Sequence, residues 1–304
     1  MMINKCSKIL LILIIILFHS CDKKVIEYYE NGNVKKVYYE NKEGKITGEY
    51  VEYYNNEIIK EVHIYKSGIR IDSSVYFYSP PDIKKIKKIN YWKKNEHDFQ
   101  INYNKDGTKQ NEGEVLSGDD KFRIGYWNFY KDNVVDSIVE YVNVGNRPYT
   151  NQIFLLDSNG DTLKTKGNYY KITYKDTIEL GEIARIRFEL YQPYYSYSTD
   201  SKVVLPVYDS DLKEDYSNFL EVERDTFYSL KNDGIPHPEV PKEVLQNQVI
   251  EFGIDCRHTG DQRIRGVLIE CLERYKSGVQ VKDSLQIIER RLFFDETFYI
   301  KEKE

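Results

Sequence analysis

Alanine is all but missing from this sequence: of 304 residues only Ala184 is one. Alanine is the best helix former, and tyrosine, present 28 times, favours strands. That usage argues against helix bundles, helical solenoids and α/β barrels. The chain also lacks the short motifs that carry chemistry. It has no GxSxG, no HExxH and no glycine-rich phosphate loop. Beyond His19, its histidines (His63, His97, His237 and His258) are scattered without metal-ligand spacing. These absences point away from an enzyme and call for no cofactor. A hydrolase with an unrecognised site is the rival from another class.

No apolar run is long enough to span a bilayer, which takes about 20 residues. The longest, Ile9–Phe18, has ten. Preceded by Lys5 and Lys8, it reads as an export signal over residues 1–20, to be set aside from fold reasoning. Ser20-Cys21 closes it, and Asp22-Lys23-Lys24 turns polar at once. This segment resembles a bacterial lipoprotein signal, cut before a cysteine that then carries lipid; Phe18 and His19 depart from the usual pattern. The resemblance implies acylation of Cys21, palmitate among the chains, and attachment to a membrane of the cell envelope. More than one chain makes such attachment stable, at about 0.8 kcal/mol per buried CH₂.

Charge is divided unevenly. Residues 21–147 carry 21 basic and 21 acidic residues, and residues 148–304 carry 21 and 28. The acidic second half argues against nucleic acid as a partner. Cys256 and Cys271 remain after Cys21 is set aside. They fall on strand-like runs, Val249–Cys256 and Gly266–Leu272, that read as neighbours. In an oxidising compartment a cross-strand disulfide and two buried thiols are both open.

What the chain has in abundance is arranged periodically. Tyrosines at 28, 53, 78, 103 and 130 head similar segments, spaced 25, 25, 25 and 27 residues apart. Tyr28-Tyr29-Glu30-Asn31-Gly32 and Tyr103-Asn104-Lys105-Asp106-Gly107 each read as a strand end followed by a turn that needs positive φ. Regular spacing of this kind marks stacked supersecondary units. One hairpin is marginal in water, so the units must stack. Tyr-Tyr-x-Asn-Gly, a return strand, then Gly-x-aromatic-x-x-Tyr resembles the variant MORN repeat of bacteria, over roughly residues 25–141. The resemblance implies an antiparallel β-meander used as a scaffold or interaction surface, with no catalytic residues.

From Tyr149 the period stops and short strand-like runs recur between turns, which favours a β-sandwich over residues 148–304. Asp176-Thr177-Ile178, then Gly181-Glu182 leading into Ala184–Leu190, resembles an immunoglobulin-like module. The expected fold is therefore all-β: a hairpin-repeat region, residues 21–147, followed by the sandwich. Asp157-Ser158-Asn159-Gly160-Asp161 looks like the start of a calcium loop, but the twelfth position is Asn168 where a bidentate Glu is required, so a hairpin turn is the better reading.

Two segments offer binding surfaces. Lys84, Lys85, Lys87, Lys88, Lys93 and Lys94 interleave with Tyr91 and Trp92. They read either as a lysine-guarded edge strand or as a contact for anionic lipid or glycan. Tyr194, Tyr195 and Tyr197 could stack on sugar rings or close the sandwich edge. The function this implies is a membrane-anchored, non-catalytic binding or scaffolding protein with an envelope protein as partner. Glycan binding is its nearest rival.

Overall fold

The computed structural model describes residues 22–82, 85–93, 97–192, 201–208, 211–241, 245–275 and 285–303. Among these the chain is all-β, with nineteen strands and one 3-10 turn, Gln246–Gln248. It divides into two compact units, Met1–Lys121 and Phe122–Glu304. The tyrosine period stops after residue 147; the compact units divide earlier, inside the ninth strand.

Eleven strands follow one another in a single sheet, in sequence order. They are β1 (Lys23–Tyr28), β2 (Val34–Glu40), β3 (Ile46–Tyr53), β4 (Ile59–Lys66), β5 (Ile69–Phe77) and β6 (Ile86–Trp92). β7 (His97–Tyr103), β8 (Lys109–Leu116), β9 (Asp119–Lys131), β10 (Val134–Asn143) and β11 (Pro148–Leu155) complete the meander. Four of its turns, Tyr29–Asn33, Asn41–Lys45, Tyr54–Ile58 and Asn104–Thr108, share one backbone pattern. The first N–H donates to the fifth carbonyl, and the fourth N–H donates back to the first carbonyl. The fourth residue has positive φ each time: Gly32 at 87°, Gly44 at 73°, Glu57 at 61° and Gly107 at 92°. This is the three-residue hairpin loop with a bulge at its left-handed residue, which explains the glycines of the repeat.

On the returning strands β2, β4, β6 and β8 one extra residue interrupts the pairing. The register slips at Glu27/Tyr28, Glu52/Tyr53, Tyr76/Phe77 and Asn102/Tyr103. Lys35, Lys60, Lys87 and Gln110 are the residues skipped. Two further slips fall at Val37/Tyr39 and His63/Ile64; elsewhere on β1–β8 alternate side chains define two faces. One face carries an aliphatic row in which each residue pairs with the next: Ile26, Val37, Val51, Val62, Val75, Ile89 and Ile101. On the other face Tyr50, His63, Ser74, Asn90 and Gln100 pair in the same way. No hydrophobic cluster forms on β1–β8 among the described residues; both clusters lie within residues 142–300.

The second unit holds the apolar core. β12 (Tyr169–Thr173), β14 (Ile183–Tyr191) and β17 (Val249–Asp255) form a three-stranded antiparallel sheet in the order β12-β14-β17. β13 (Thr177–Glu179), β15 (Ser201–Tyr208), β16 (Arg224–Tyr228), β18 (Gly260–Tyr275) and β19 (Leu285–Lys301) form another, in the order β13-β19-β18-β15-β16. The short β13 pairs parallel to β19, unlike the rest. β14 shows why the sheets face each other. Ala184, Ile186, Phe188 and Leu190 are at most 3% exposed and pack with Leu205, Leu268, Leu292 and Phe294 of the other sheet. Each large apolar side chain so buried contributes about 1.5–3 kcal/mol. Ala184, the lone alanine, sits at the end of that inward row.

Candidate functional site

The polar row of the meander is its most unusual chemistry. His63 on β4 is fully buried, between the rings of Tyr50 and Tyr76 (both 5.4 Å between centroids) and Tyr65 (6.2 Å). Its Nδ1 lies 2.7 Å from Ser74 Oγ, which also accepts a hydrogen bond from Trp92 Nε1 at 2.6 Å. Its Nε2 faces Glu61 Oε1 at 3.6 Å. The His63 ring, with Lys60 beside it, holds the Glu61 carboxyl below its ordinary value of 4.5, against the opposing effect of burial. Burial pushes the Tyr76 phenol up to about 12.

Further along the row, Asn90 is fully buried, and neither its Oδ1 nor its Nδ2 has a hydrogen-bond partner. Gln100 leaves Oε1 unpaired while its Nε2 donates to Asn102 Oδ1 at 3.0 Å. An unmet buried polar group costs about 1–3 kcal/mol, so the meander holds this polar file at the expense of stability.

Ser74, His63 and Glu61 have the connectivity of a serine–histidine–carboxylate triad, an encounter with no signature in the sequence. The geometry does not suit nucleophilic attack. Ser74 and His63 are both 0% exposed, and the Trp92 N–H occupies the serine oxygen. Glu61 is beyond hydrogen-bond distance of the ring, where a triad acid must orient it. The network is a packing solution for a buried histidine: Nδ1 is paired to Ser74, while Nε2 has only the Glu61 carboxylate at 3.6 Å and no hydrogen-bond partner.

Beside it lies a cluster that partners can reach. Tyr65 on β4 pairs directly with Arg70 on β5. Arg70 donates from Nε to the Tyr65 hydroxyl at 2.8 Å. Its guanidinium lies 5.8 Å from the Tyr65 ring centroid and 5.5 Å from that of Trp92 on β6. Arg70 is exposed and the two rings are half-buried. Sequence spacing alone does not reveal the trio, because Arg70 enters from a hairpin outside the tyrosine period.

Of the residues singled out by sequence, Cys21, the signal residues 1–20, Lys84, Lys94, Tyr194, Tyr195 and Tyr197 lie outside the described residues. The lysine run does not guard an edge, because β6 pairs with β5 on one side and β7 on the other. Nor do its described members form one cationic surface. Lys88 is ion-paired to Asp120 and sits 4.2 Å from the Tyr76 ring centroid. Lys93 pairs with Glu114 at 3.4 Å and Lys85 with Asp82 at 3.5 Å. Lys87, exposed, is the extra residue of a bulge.

The strands bearing Cys256 and Cys271 are not neighbours either. β17, which Cys256 follows, belongs to the three-stranded sheet, and β18, which bears Cys271, to the five-stranded one. Cys256 is a buried thiol whose Sγ approaches the Ile254 carbonyl at 3.7 Å, and no disulfide joins it to Cys271. The reason is reach. Cys271 lies eleven residues into β18, about 35 Å along the strand, whereas a disulfide needs Cα atoms within about 7 Å.

The calcium-like segment is a hairpin turn: Gly160 has φ of 87°, and Asp157 Oδ1 accepts from the amides of Asn159 and Asp161. Among the described residues no group of three or more His, Cys, Asp or Glu is placed to hold a metal ion. No helix among them is long and apolar enough to cross a membrane. Comparison with known proteins finds no family model that matches the chain and no curated protein similar to it.

Proposed function

We propose that the protein is a lipoprotein of the bacterial cell envelope, anchored through lipid on Cys21, that works as a non-catalytic binding or scaffolding protein. In this reading the meander is a variant MORN-repeat region that presents its polar face to a protein partner. The sandwich is an immunoglobulin-like module joined to it. The observation that carries the binding reading is the Tyr65–Arg70–Trp92 cluster. Trp, Tyr and Arg are the residues that dominate interface energetics. Here they sit together on a sheet face that carries no apolar cluster of its own among the described residues.

The test is affinity capture from crosslinked envelopes with the wild type and with Arg70→Ala. Arg70 is exposed, so the substitution spares the fold. A hot-spot arginine is worth about 2 kcal/mol or more, roughly thirtyfold in affinity. Loss of one wild-type partner in the variant supports the reading; an identical set of captured proteins refutes it. Recovery of no protein, with binding on a glycan array, transfers the role to the glycan reading. Labelling with an alkyne fatty acid tests the anchor, and equal labelling of Cys21→Ala and wild type would remove it.

A further inference from the structure

The outer side of the three-stranded sheet carries a cavity of about 750 Å³, within the range of small-molecule sites. Arg185 on β14 stands opposite Gly253 on β17, and the missing side chain opens a notch in the sheet face. Ile183 leans over that notch: a Cβ at Gly253 would lie 2.5 Å from Ile183 Cγ2. The far wall comes from the segment after β16, with Ile235 and His237.

That segment is pinned from several directions. Leu230 N–H donates to the Val249 carbonyl at 2.9 Å, and Lys231 N–H to the Gln246 carbonyl at 3.2 Å. Asp233 Oδ1 accepts from Ile235 N–H at 2.9 Å, and Asp233 Oδ2 lies 2.7 Å from His237 Nε2. The wall is therefore built in advance of any ligand.

Two properties of the lining point to one kind of ligand. Ile183 and Ile235 are 64% and 63% exposed, unusual for isoleucine, and both line this cavity. The charges around them are matched, with one exception. Arg187 binds Glu189 and Glu251, Lys175 lies 3.5 Å from Glu182, and His237 is held by Asp233. Arg185 is exposed and makes no hydrogen bond or ion pair among the described residues. A guanidinium left open beside bare aliphatic surface suits a carboxylate on an alkyl chain. Arginine binds carboxylates through two parallel hydrogen bonds, and each buried methylene adds to the apolar gain.

We propose that this cavity binds an aliphatic monocarboxylate, such as a free fatty acid, with Arg185 holding the carboxylate and Ile183 and Ile235 receiving the chain. The proposal is independent of the meander and of any partner there. It is tested by calorimetric titration of the full chain with hexanoate, octanoate and decanoate below micellar concentrations. Affinity should rise roughly three- to fourfold per added methylene. Decanol, which lacks the charge, should bind at least tenfold more weakly than decanoate. Arg185→Gln should bring decanoate down to the level of decanol, and Ile235→Ser should flatten the chain-length series. Thermal melts of both variants should match the wild type, since both side chains are exposed. Equal binding of decanol and decanoate, an unchanged Kd in Arg185→Gln, or no saturable binding would each overturn the assignment.

Discussion

The hydroxyl of Tyr29 donates to the carbonyl of Tyr53, 24 residues further on, at 2.6 Å. The same bond recurs from Tyr54 to Phe77 (3.2 Å) and from Tyr78 to Tyr103 (2.7 Å). Each acceptor is the residue at which the register slips in the next hairpin. A bulge disrupts the ladder and leaves backbone groups needing partners. Tyr29 and Tyr54, each the second of a Tyr-Tyr pair, and Tyr78, which follows Phe77, supply one from the preceding unit. The tyrosine period is thus the spacing at which one hairpin repairs the irregularity of the next.

Removing those hydroxyls should weaken the meander without changing its shape. Tyr29→Phe, Tyr54→Phe and Tyr78→Phe keep the ring and remove one hydrogen bond each, worth about 1 kcal/mol apiece. The sites share no partner, so the triple variant should lose about 3 kcal/mol. Urea denaturation should show a lower midpoint with the same slope. An unchanged midpoint would mean that water satisfies these carbonyls equally well.

The turn at Glu57 permits the opposite experiment. Glu57 adopts φ of 61° where the sister turns use Gly32 and Gly107. The left-handed region costs a non-glycine residue roughly 1–2 kcal/mol, and glycine's extra unfolded-state entropy returns part of that. Glu57→Gly should therefore stabilise by about 0.5–1 kcal/mol. Gly32→Ala and Gly107→Ala should destabilise by a similar amount. Space is open around both glycines, so strain at φ is the sole cause. Thermal melts of the three variants give the signs.

The strand-rich composition, the 25-residue period and the glycines of the turns made the meander readable in advance, because hairpin chemistry is local. Sheet membership was not readable in the same way. Val249–Cys256 and Gly266–Leu272 are close in sequence yet belong to different sheets. A sandwich connection and a hairpin connection look alike when each is a short polar loop. The lysines of β6 resemble an edge because interior position depends on strands that precede and follow at a distance. The His63–Ser74–Trp92 network and the Arg70 cluster depend on register across three strands, which no single window of sequence contains.

The apparent triad should be chemically silent. Ser74 Oγ is buried and accepts the Trp92 N–H, so an activity-based fluorophosphonate probe should not label the folded protein. Ser74→Ala should cost about 1–3 kcal/mol, because it leaves the half-buried Trp92 N–H and the buried His63 Nδ1 without their partner. Probe labelling that disappears in Ser74→Ala would replace this structural role with a nucleophilic one.

The two thiols of the sandwich should prove independent. Denaturation without reductant, followed by alkylation and mass spectrometry, should show no peptide linking Cys256 to Cys271. Cys256 is 2% exposed, so it should resist alkylation in the folded state. A Cys256–Cys271 crosslink would require the two sheets to be assembled differently.

The wall of the sandwich cavity should respond to pH through His237 and Asp233. The hydrogen bond to Asp233, aided by Glu239, raises the imidazole above its ordinary value of 6.5. For Asp233, burial acts upward, but the Ile235 amide and the His237 ring outweigh it and hold the carboxyl below 3.8. A raised histidine contributes stability that is full below pH 6.5 and disappears as pH climbs through the folded value. A depressed aspartate contributes above pH 3.8 and loses its share as pH falls through its lower folded value. The pair therefore holds the loop best in mild acid and releases it in alkali. The difference in melting temperature between wild type and His237→Gln should be larger at pH 5.5 than at pH 9.5. The imidazole resonances should titrate with a midpoint above 6.5. A difference that stays constant across this range would show that the ring acts by packing alone.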